Sequence, residues 1–261
     1  MAYSAAGERL RRSLDGQQLV LGVDRLDPTK GLMQRLGGLR VLLERKQEWR
    51  RQVTMLQIAA ESRKDVASYQ ALRAALDAEA GAINADLGEA DWQPLRIVSR
   101  NTDRNTVAGF MRLARVGLVT PLRDGMNLVA KEYVAAQNPE DPGVLILSRF
   151  AGAARQLPDA LLVNPHDPDA MAEALDTALK MDLAERQQRW ERLWQAIEDR
   201  TPALWGRSFL AALMRTTLPL PKPKVAAAAA AEAGAAPVPA GPPRLTLVER
   251  EPEVPARRVN N

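Results

Sequence analysis

Short apolar runs alternate with longer segments of helical period, and this alternation constrains the fold more than any other feature of the chain. The runs are rich in Val, Ile and Leu, as strands are when both faces of a parallel sheet are covered. They predict strands at residues 19–23, 53–59, 95–99, 116–120, 144–148 and 161–164. Apolar residues at three- and four-residue steps predict helices at 33–46, 66–87, 105–114, 128–137 and 168–181, with Asn127 and Asp167 as N-caps. The sequence therefore predicts an α/β fold with a doubly wound, mainly parallel sheet and helices on both faces.

The chain divides into four predicted segments. Residues 1–16 are an N-terminal lead-in, and residues 17–182 form the α/β domain. Residues 183–217 hold two further helices, at 183–199 and 203–216, with Pro202 between them as a helix breaker. Residues 218–261 are rich in Ala and Pro, a composition that predicts a disordered tail.

Composition excludes several classes of protein. The chain has no cysteine, which excludes disulfides and thiolate metal sites, and we expect a cytoplasmic protein. Its 36 Lys and Arg against 32 Asp and Glu leave a net charge of +4, too small and too dispersed to predict binding to nucleic acid or to a membrane. Its apolar runs are much shorter than the roughly 20 residues that a membrane-spanning helix needs.

The segment VDRLDPTKGL, residues 23–32, follows the first predicted strand and precedes a helix. Such a loop lies at the carboxyl edge of the sheet, where open α/β folds bind ligands. Arg25, Lys30 and the amino end of the helix after Gly31 bring positive charge to one place, which suits a diphosphate. The alternative is that the two cations are solvated loop residues neutralised by Asp24 and Asp27.

A second loop, VTPLRDGMNLVAKEY at residues 119–133, has the same strand, loop and helix pattern. Asp124 in the loop and Glu132 in the helix can face one crevice, and carboxylates accept paired hydrogen bonds from vicinal hydroxyls. A sugar ring and a ribose are therefore candidate ligands. The alternatives are a plain turn at Asp124 and a solvated helix face at Glu132.

Five motifs carry a resemblance to a known family. They are LGVDRLDPTKGL, SRKDVASYQALR, EAGAINADLG, VGLVTPLRDGMNLVAKEYVAAQ and GVLILSRFAGAA, and they occur in one order over about residues 17–181. In this combination the chain resembles the C-terminal, donor-binding half of the trehalose-6-phosphate synthase family, glycosyltransferase family 20. The resemblance implies the Rossmann-like C-terminal domain of a two-domain GT-B glycosyltransferase. It also implies transfer of glucose from UDP-glucose, or another NDP-glucose, to glucose 6-phosphate with retention, without metal or cofactor.

The resemblance implies a role for each matching residue. Arg25 and Lys30 correspond to ligands of the donor diphosphate, and Arg63 to a ligand of the acceptor phosphate. Asp124 corresponds to the residue that holds the glucosyl hydroxyls, and with Arg25 and Lys30 it makes up the expected catalytic set. The remaining donor contacts implied by the family are Gly125, Met126 and Asn127 through backbone N–H groups, Leu128 and Val129 at the nucleoside, and Glu132 at the ribose.

The sequence also departs from the family. The N-terminal domain of the family, with a Gly-rich loop and most of the acceptor pocket, has no counterpart in this sequence. Thr102 stands where an apolar or aromatic residue of the family commonly contacts uracil. Arg149 and Arg155 replace residues that are more often acidic or amide in the family. Two functions stay open. One is the donor half of a synthase completed by a separately encoded N-terminal half or by a homo-oligomer, and the other is a truncated, catalytically inactive nucleotide-sugar-binding module. A dinucleotide-binding dehydrogenase is a weaker alternative because no G-x-G-x-x-G follows the first strand.

Overall fold

A six-stranded parallel sheet organises the part of the chain that the computed structural model describes, residues 5–63 and 65–215. Its order is β3-β2-β1-β4-β5-β6, and every pair of neighbours is parallel. The strands are β1 (Gln18–Arg25), β2 (Val53–Ala60), β3 (Leu95–Val98), β4 (Val116–Val119), β5 (Val144–Ser148) and β6 (Leu161–Val163). All six predicted strands are therefore confirmed, with their ends shifted by two residues at most.

Helices cover both faces of the sheet. They are α1 (Ala5–Leu14), α2 (Leu32–Arg45), α3 (Ala67–Leu87), α4 (Arg104–Leu113), α5 (Leu128–Ala136), α6 (Pro168–Lys180) and α7 (Leu183–Glu198). A further helix, α8 (Pro202–Arg215), follows α7 along the chain and has no buried residue. The predicted caps are confirmed: Asn127 Oδ1 accepts the N–H of Ala130 at 3.1 Å, and Asp167 Oδ1 accepts that of Ala170 at 2.9 Å. The predicted disordered tail at 218–261 and residue 216 of the last predicted helix lie outside the described residues.

The core is divided into two layers by the sheet. In β1, Leu19 and Leu21 pack into one layer and Val20 into the other, as the alternation of side chains along a strand requires. Leu36 on α2 joins the layer of Val20, whereas Tyr133 on α5 joins the opposite one. The predicted doubly wound α/β fold is thus confirmed.

One helix, α1, lies within the predicted lead-in and was not predicted from the sequence. Its Leu14 is 3% exposed and packs in the same core layer as Leu19, with partly buried Leu10 one turn before it. Glu8 accepts hydrogen bonds from Arg11 Nη2 at 2.7 Å and from Arg12 Nε at 3.3 Å on the solvent side. A leucine pair four residues apart was the available signal, and it is too short to stand out as a period.

The strand order reverses between β1 and β4. From β1 the chain proceeds to β2 and β3 on one side, and β4 leads to β5 and β6 on the other. The loops that leave β1 and β4 therefore lie side by side at the carboxyl edge of the sheet, at the topological switch point where open α/β sheets bind ligands.

Among the described residues, no helix is both long and apolar enough to cross a membrane.

Candidate active site

A cleft of about 590 Å³ opens at the switch point, between the loops that follow β1 and β4. The N–H of Leu122 donates to the carbonyl of Thr29 at 2.8 Å and joins the two loops. The cleft is lined by Val23, Asp24, Arg25, Lys30, Ile58, Ala60, Asn101, Thr102, Val107, Asp124, Met126, Asn127, Leu128 and Val129. Polar and charged groups thus meet apolar side chains in one concave surface, as in small-molecule sites.

The β1–α2 loop has a shape that follows from its sequence. Asp27 Oδ1 accepts the N–H of Thr29 at 2.9 Å and its hydroxyl at 2.7 Å, which caps a 3₁₀ turn at Pro28–Lys30. Gly31 ends the turn with φ at +66° and begins α2, and a Cβ there would press on the carbonyl oxygen of Thr120. Glycine is needed at this position for both reasons, and the turn places Lys30 at the cleft.

Lys30 and Asp124 form an ion pair in the cleft although 94 residues separate them. Their Nζ and Oδ2 atoms are 2.6 Å apart, and each side chain is 16% exposed. Asp124 also accepts the N–H of Met126 at 3.3 Å and the side-chain amide of Asn127 at 3.2 Å. Burial opposes ionisation of Asp124, but the hydrogen bond from Lys30 and those from Met126 and Asn127 hold its pKa below the ordinary value. Asp124 is therefore an ionised, fixed acceptor at neutral pH.

Arg25 is the exposed cation of the cleft. It lies at the end of β1, where its backbone pairs with β2, and its side chain forms no hydrogen bond or ion pair with any residue that the structure describes. Its five N–H donors are thus available to an anionic ligand. We refer to Arg25, Lys30 and Asp124 together as the rim.

Beneath the rim is a buried polar network that the sequence analysis did not find. Arg35 on α2 is fully buried and donates to Asp24 Oδ2 at 2.8 Å, Gln57 Oε1 at 2.8 Å and Thr120 Oγ1 at 3.1 Å. Its Nη2 also approaches the carbonyl of Lys30 at 3.5 Å. This floor network, consisting of Arg35, Asp24, Gln57 and Thr120, connects α2 to β1, to β2 and to the end of β4.

Burial dominates the electrostatics of the floor network. Burial raises the pKa of Asp24, and the positive charge of Arg35 offsets only part of this rise. Two sequence signals could have revealed the network. Arg35 stands among Leu32, Leu36 and Leu39 at helical spacing, on the face that should be apolar, and Gly22 interrupts β1 where a Cβ would collide with Gln57 and Arg35.

The start of α5 places further predicted residues in the cleft. Asn127 is 6% exposed and has φ at +74°, a conformation that Asn tolerates better than most residues. Leu128 and Val129 line the cleft on the side where Thr102 and Val107 also stand. Gly125 lines an adjacent cavity instead of this cleft.

Two further predicted residues, Glu132 and Arg63, also lie outside the cleft lining. Glu132 is exposed on α5. Arg63 follows β2 with φ at +49°, and its Nη1 donates to Tyr69 Oη at 3.2 Å. The Tyr69 hydroxyl in turn donates to Asp27 Oδ2 at 3.2 Å, so Arg63 is connected to the β1–α2 loop through one side chain.

A parallel α/β sheet with a charged cleft at its switch point defines an α/β ligand-binding domain, and comparison with known proteins identifies its family. The model of glycosyltransferase family 20 matches residues 3–215, and the chain belongs to this family. The trehalose-6-phosphate synthase of Sinorhizobium fredii is 48% identical over 203 residues, which are 78% of this chain and 44% of the relative. The enzyme of that name from Escherichia coli O9:H4 is 47% identical over 205 residues. These findings confirm the family resemblance.

Solved structures agree with the sequence comparison. The α,α-trehalose-phosphate synthase (UDP-forming) from Burkholderia xenovorans in complex with glucose-6-phosphate superimposes with a TM-score of 0.79 at 46% identity, covering 81% of this chain and 47% of that protein. A structure described as trehalose-6-phosphate from E. coli bound with UDP-2-fluoro glucose gives a TM-score of 0.79 at 45% identity, covering 82% and 47%. The expected GT-B domain fold is confirmed, and the chain spans slightly under half the length of these relatives.

Proposed function

We propose that the cleft binds a nucleotide sugar, UDP-glucose, and that the chain is the donor-binding half of a trehalose-6-phosphate synthase. The observation that carries this proposal is the rim: Arg25 without a partner among the described residues, beside Lys30 held at 2.6 Å from Asp124. Two cations and one ionised acceptor at a switch point match the diphosphate and the hydroxyls of such a ligand.

Arg25 and Lys30 take the diphosphate in this proposal. Cleavage of the bond between the sugar and the diphosphate develops negative charge on the departing oxygen. Fixed cations therefore stabilise the transition state more than the bound donor, and loss of one raises the barrier by roughly 2–4 kcal/mol. The floor network supports this arrangement because Arg35 connects the carboxyl ends of β1 and β4, from which the rim residues extend.

Asp124 accepts hydrogen bonds from the glucosyl hydroxyls in the same scheme. Its carboxylate is ionised and its orientation is fixed by Lys30, Met126 and Asn127, so little rotational freedom is lost on binding. The other donor contacts that we propose are the backbone N–H groups of Gly125, Met126 and Asn127 at the sugar, Leu128 and Val129 at the nucleoside, and Glu132 at the ribose.

The acceptor is glucose 6-phosphate in this proposal, with Arg63 at its phosphate. Support comes from the Burkholderia xenovorans relative, which was solved in complex with glucose-6-phosphate. Glucose is transferred with retention, and a separately encoded N-terminal half or a second copy of the chain completes the acceptor pocket. We place this reaction in the cytoplasm.

A second candidate is a module that binds the nucleotide sugar without transferring it. Leu128 at the cleft is 63% exposed, and Arg25 is exposed as well. A site as open as this one leaves a bound sugar accessible to water, which disfavours transfer by this chain alone.

Calorimetric titration with UDP and with UDP-glucose tests the proposal. We expect binding that Arg25→Ala and Lys30→Ala each weaken at least tenfold, a loss of ~1.4 kcal/mol or more. Arg9→Ala is the matched control, because Arg9 is an exposed arginine on α1 without a hydrogen bond or ion pair to the described residues. Absence of binding at millimolar UDP-glucose, or equal loss in the control, would refute a donor site in the cleft.

Assays with glucose 6-phosphate then separate the two candidates. Formation of trehalose 6-phosphate by the chain, alone or with an added N-terminal half, supports the synthase. Donor binding without product in either case supports the binding module.

A further inference from the structure

A second cavity, of about 650 Å³, adjoins the cleft, and most of the residues that line it play no part in the proposed function. Residues 122–126 form one wall, and residues 149–152 together with 155 and 156 form the other. Backbone hydrogen bonds fix the walls: Gly152 N–H donates to the carbonyl of Asp124 at 3.0 Å, and Ala153 N–H to that of Met126 at 2.7 Å. A Cβ at Gly152 would press on the carbonyl of Gly125, so the close contact requires glycine. The cavity is therefore built by tight packing of two loops.

Three arginines line this cavity: Arg123, Arg149 and Arg155. All three are exposed, and none of their side chains forms a hydrogen bond or ion pair with the residues that the structure describes. Elsewhere on the surface an arginine can be fully paired, as Arg51 is with Glu89 and Asp91 at 2.6 and 2.5 Å.

The charge of the cavity is consequently positive. Asp124 also lines it, but its carboxylate is already paired with Lys30. Converging guanidinium groups recognise phosphate and carboxylate oxygens through paired N–H donors. Three unpaired cations at one cavity repel one another, and a bound anion relieves this repulsion. A small anion with two negative charges is therefore a suitable ligand.

An aromatic ring adds an apolar surface. Phe150 is 44% exposed and lies on the same wall as Arg149. Ligand sites combine an apolar surface with a few charged groups, and volumes of 300–1,000 Å³ are typical of small molecules. A protein partner needs roughly 800 Å² of contact on each side, which a concavity of this size does not offer.

We propose that the second cavity binds a phosphate monoester of a small sugar, with the phosphate at the three arginines and the carbon skeleton against Phe150. This site is separate from the donor cleft and does not depend on the function proposed for it. The two sites share Asp124 and Met126 as lining residues, so a ligand in the second cavity contacts the loop that carries Asp124.

Calorimetric titration of the full chain with inorganic phosphate and with glucose 6-phosphate, at constant ionic strength, tests this site. We expect the triple variant Arg123→Gln, Arg149→Gln and Arg155→Gln to weaken binding of both probes at least tenfold. Arg9→Gln, which removes one exposed arginine charge on α1, should leave both affinities unchanged. Circular dichroism and thermal unfolding check that each variant is folded, and these exposed side chains are expected to tolerate substitution.

Three further variants assign the bound probe to its site. Phe150→Ala should weaken glucose 6-phosphate severalfold and leave inorganic phosphate unchanged, which separates the sugar phosphate from the free ion. UDP binding measured in parallel should survive in the triple variant, so failure of this proposal is distinct from failure of the donor site. Binding of neither probe at millimolar concentration, unchanged affinities in the triple variant, or loss of the probes in Arg25→Ala or Arg63→Gln instead, would overturn the second site.

Discussion

The floor network and the rim use the same kinds of charged group, yet they differ in how those groups are satisfied. In the floor network, Arg35 is fully buried and donates to three side chains, one from β1, one from β2 and one just after β4. In the rim, Lys30 and Asp124 are partly buried and paired, and Arg25 is exposed and unpaired among the described residues. The paired, buried charges of the floor network connect α2 to the sheet. The partly exposed charges of the rim remain available to a ligand. Substitutions in the floor network should therefore lower the stability of the fold, whereas substitutions in the rim should lower ligand binding.

The largest effect is expected at the floor network. Arg35→Met leaves the Asp24 carboxylate buried without its partner, and breaking a buried pair in this way costs roughly 3–5 kcal/mol of unfolding free energy. Urea denaturation measures the loss. The double variant Arg35→Met with Asp24→Leu removes both charges and should recover most of it, because apolar pairs of similar volume replace buried ion pairs well. A single variant as stable as the parent chain would show that the network does not stabilise the fold.

The next largest effect is expected at Gly31, which lies next to Lys30 of the rim and begins the helix that carries Arg35. Gly31→Ala places a side chain at φ +66° and against the carbonyl of Thr120, so we expect a loss of about 1–3 kcal/mol in unfolding free energy. Gly37→Ala is the matched control on the same helix, where a Cβ meets no atom within 4 Å and should be neutral or slightly stabilising. Equal effects at the two glycines would show that neither the left-handed conformation nor the close approach matters.

A smaller effect concerns the pH dependence of the rim. The pKa of Asp124 is lowered in the folded chain, so its contribution to stability is present above the pKa of an unfolded Asp, about 3.9, and is lost as pH falls through the folded value. Asp24, whose pKa is raised, changes stability in the opposite sense. We expect Asp124→Asn to lose ~1 kcal/mol of unfolding free energy at pH 7. Its unfolding free energy should also fall less steeply below pH 4 than that of the parent chain. Asp24 is present in both chains, so the difference between them reports Asp124. Parallel stability curves from pH 7 to 2.5 would contradict this assignment.

The fold was predictable because its signals are local. Strand β1 is a run of apolar residues, and Asn127 and Asp167 are cap residues that need only their own helix. The position of both loops at the carboxyl edge of the sheet also followed from the sequence, since each loop follows a predicted parallel strand. The ion pair between Lys30 and Asp124 was not predicted. Helix α1 escaped prediction because its single apolar pair is too short to define a period.

The floor network and the second cavity depend on contacts that no local pattern encodes. Arg35 meets Gln57 and Thr120 across 22 and 85 residues. Only the place of Arg35 on an apolar helix face and the glycine at Gly22 in β1 gave a sign of the network. The role of Arg63 came from the family resemblance alone, whereas Glu132 was also a candidate because of its spacing from Asp124. Both roles stay predictions, as do those of the other site residues, and the structure places neither Arg63 nor Glu132 in the cleft lining. Arg149 departs from the family in sequence, but only the structure shows that it lines the same cavity as Arg123 and Arg155.

The most direct test of the division between floor network and rim combines stability and UDP binding in one experiment on Arg25→Ala. Unfolding free energy is measured by urea denaturation with and without UDP, because a ligand of the folded state raises it by RT ln(1 + [L]/Kd). We predict that the variant unfolds within ~0.5 kcal/mol of the parent chain without UDP and loses the stabilisation that UDP gives the parent chain. A variant that UDP still stabilises fully, or one that is strongly destabilised without UDP, would contradict the account.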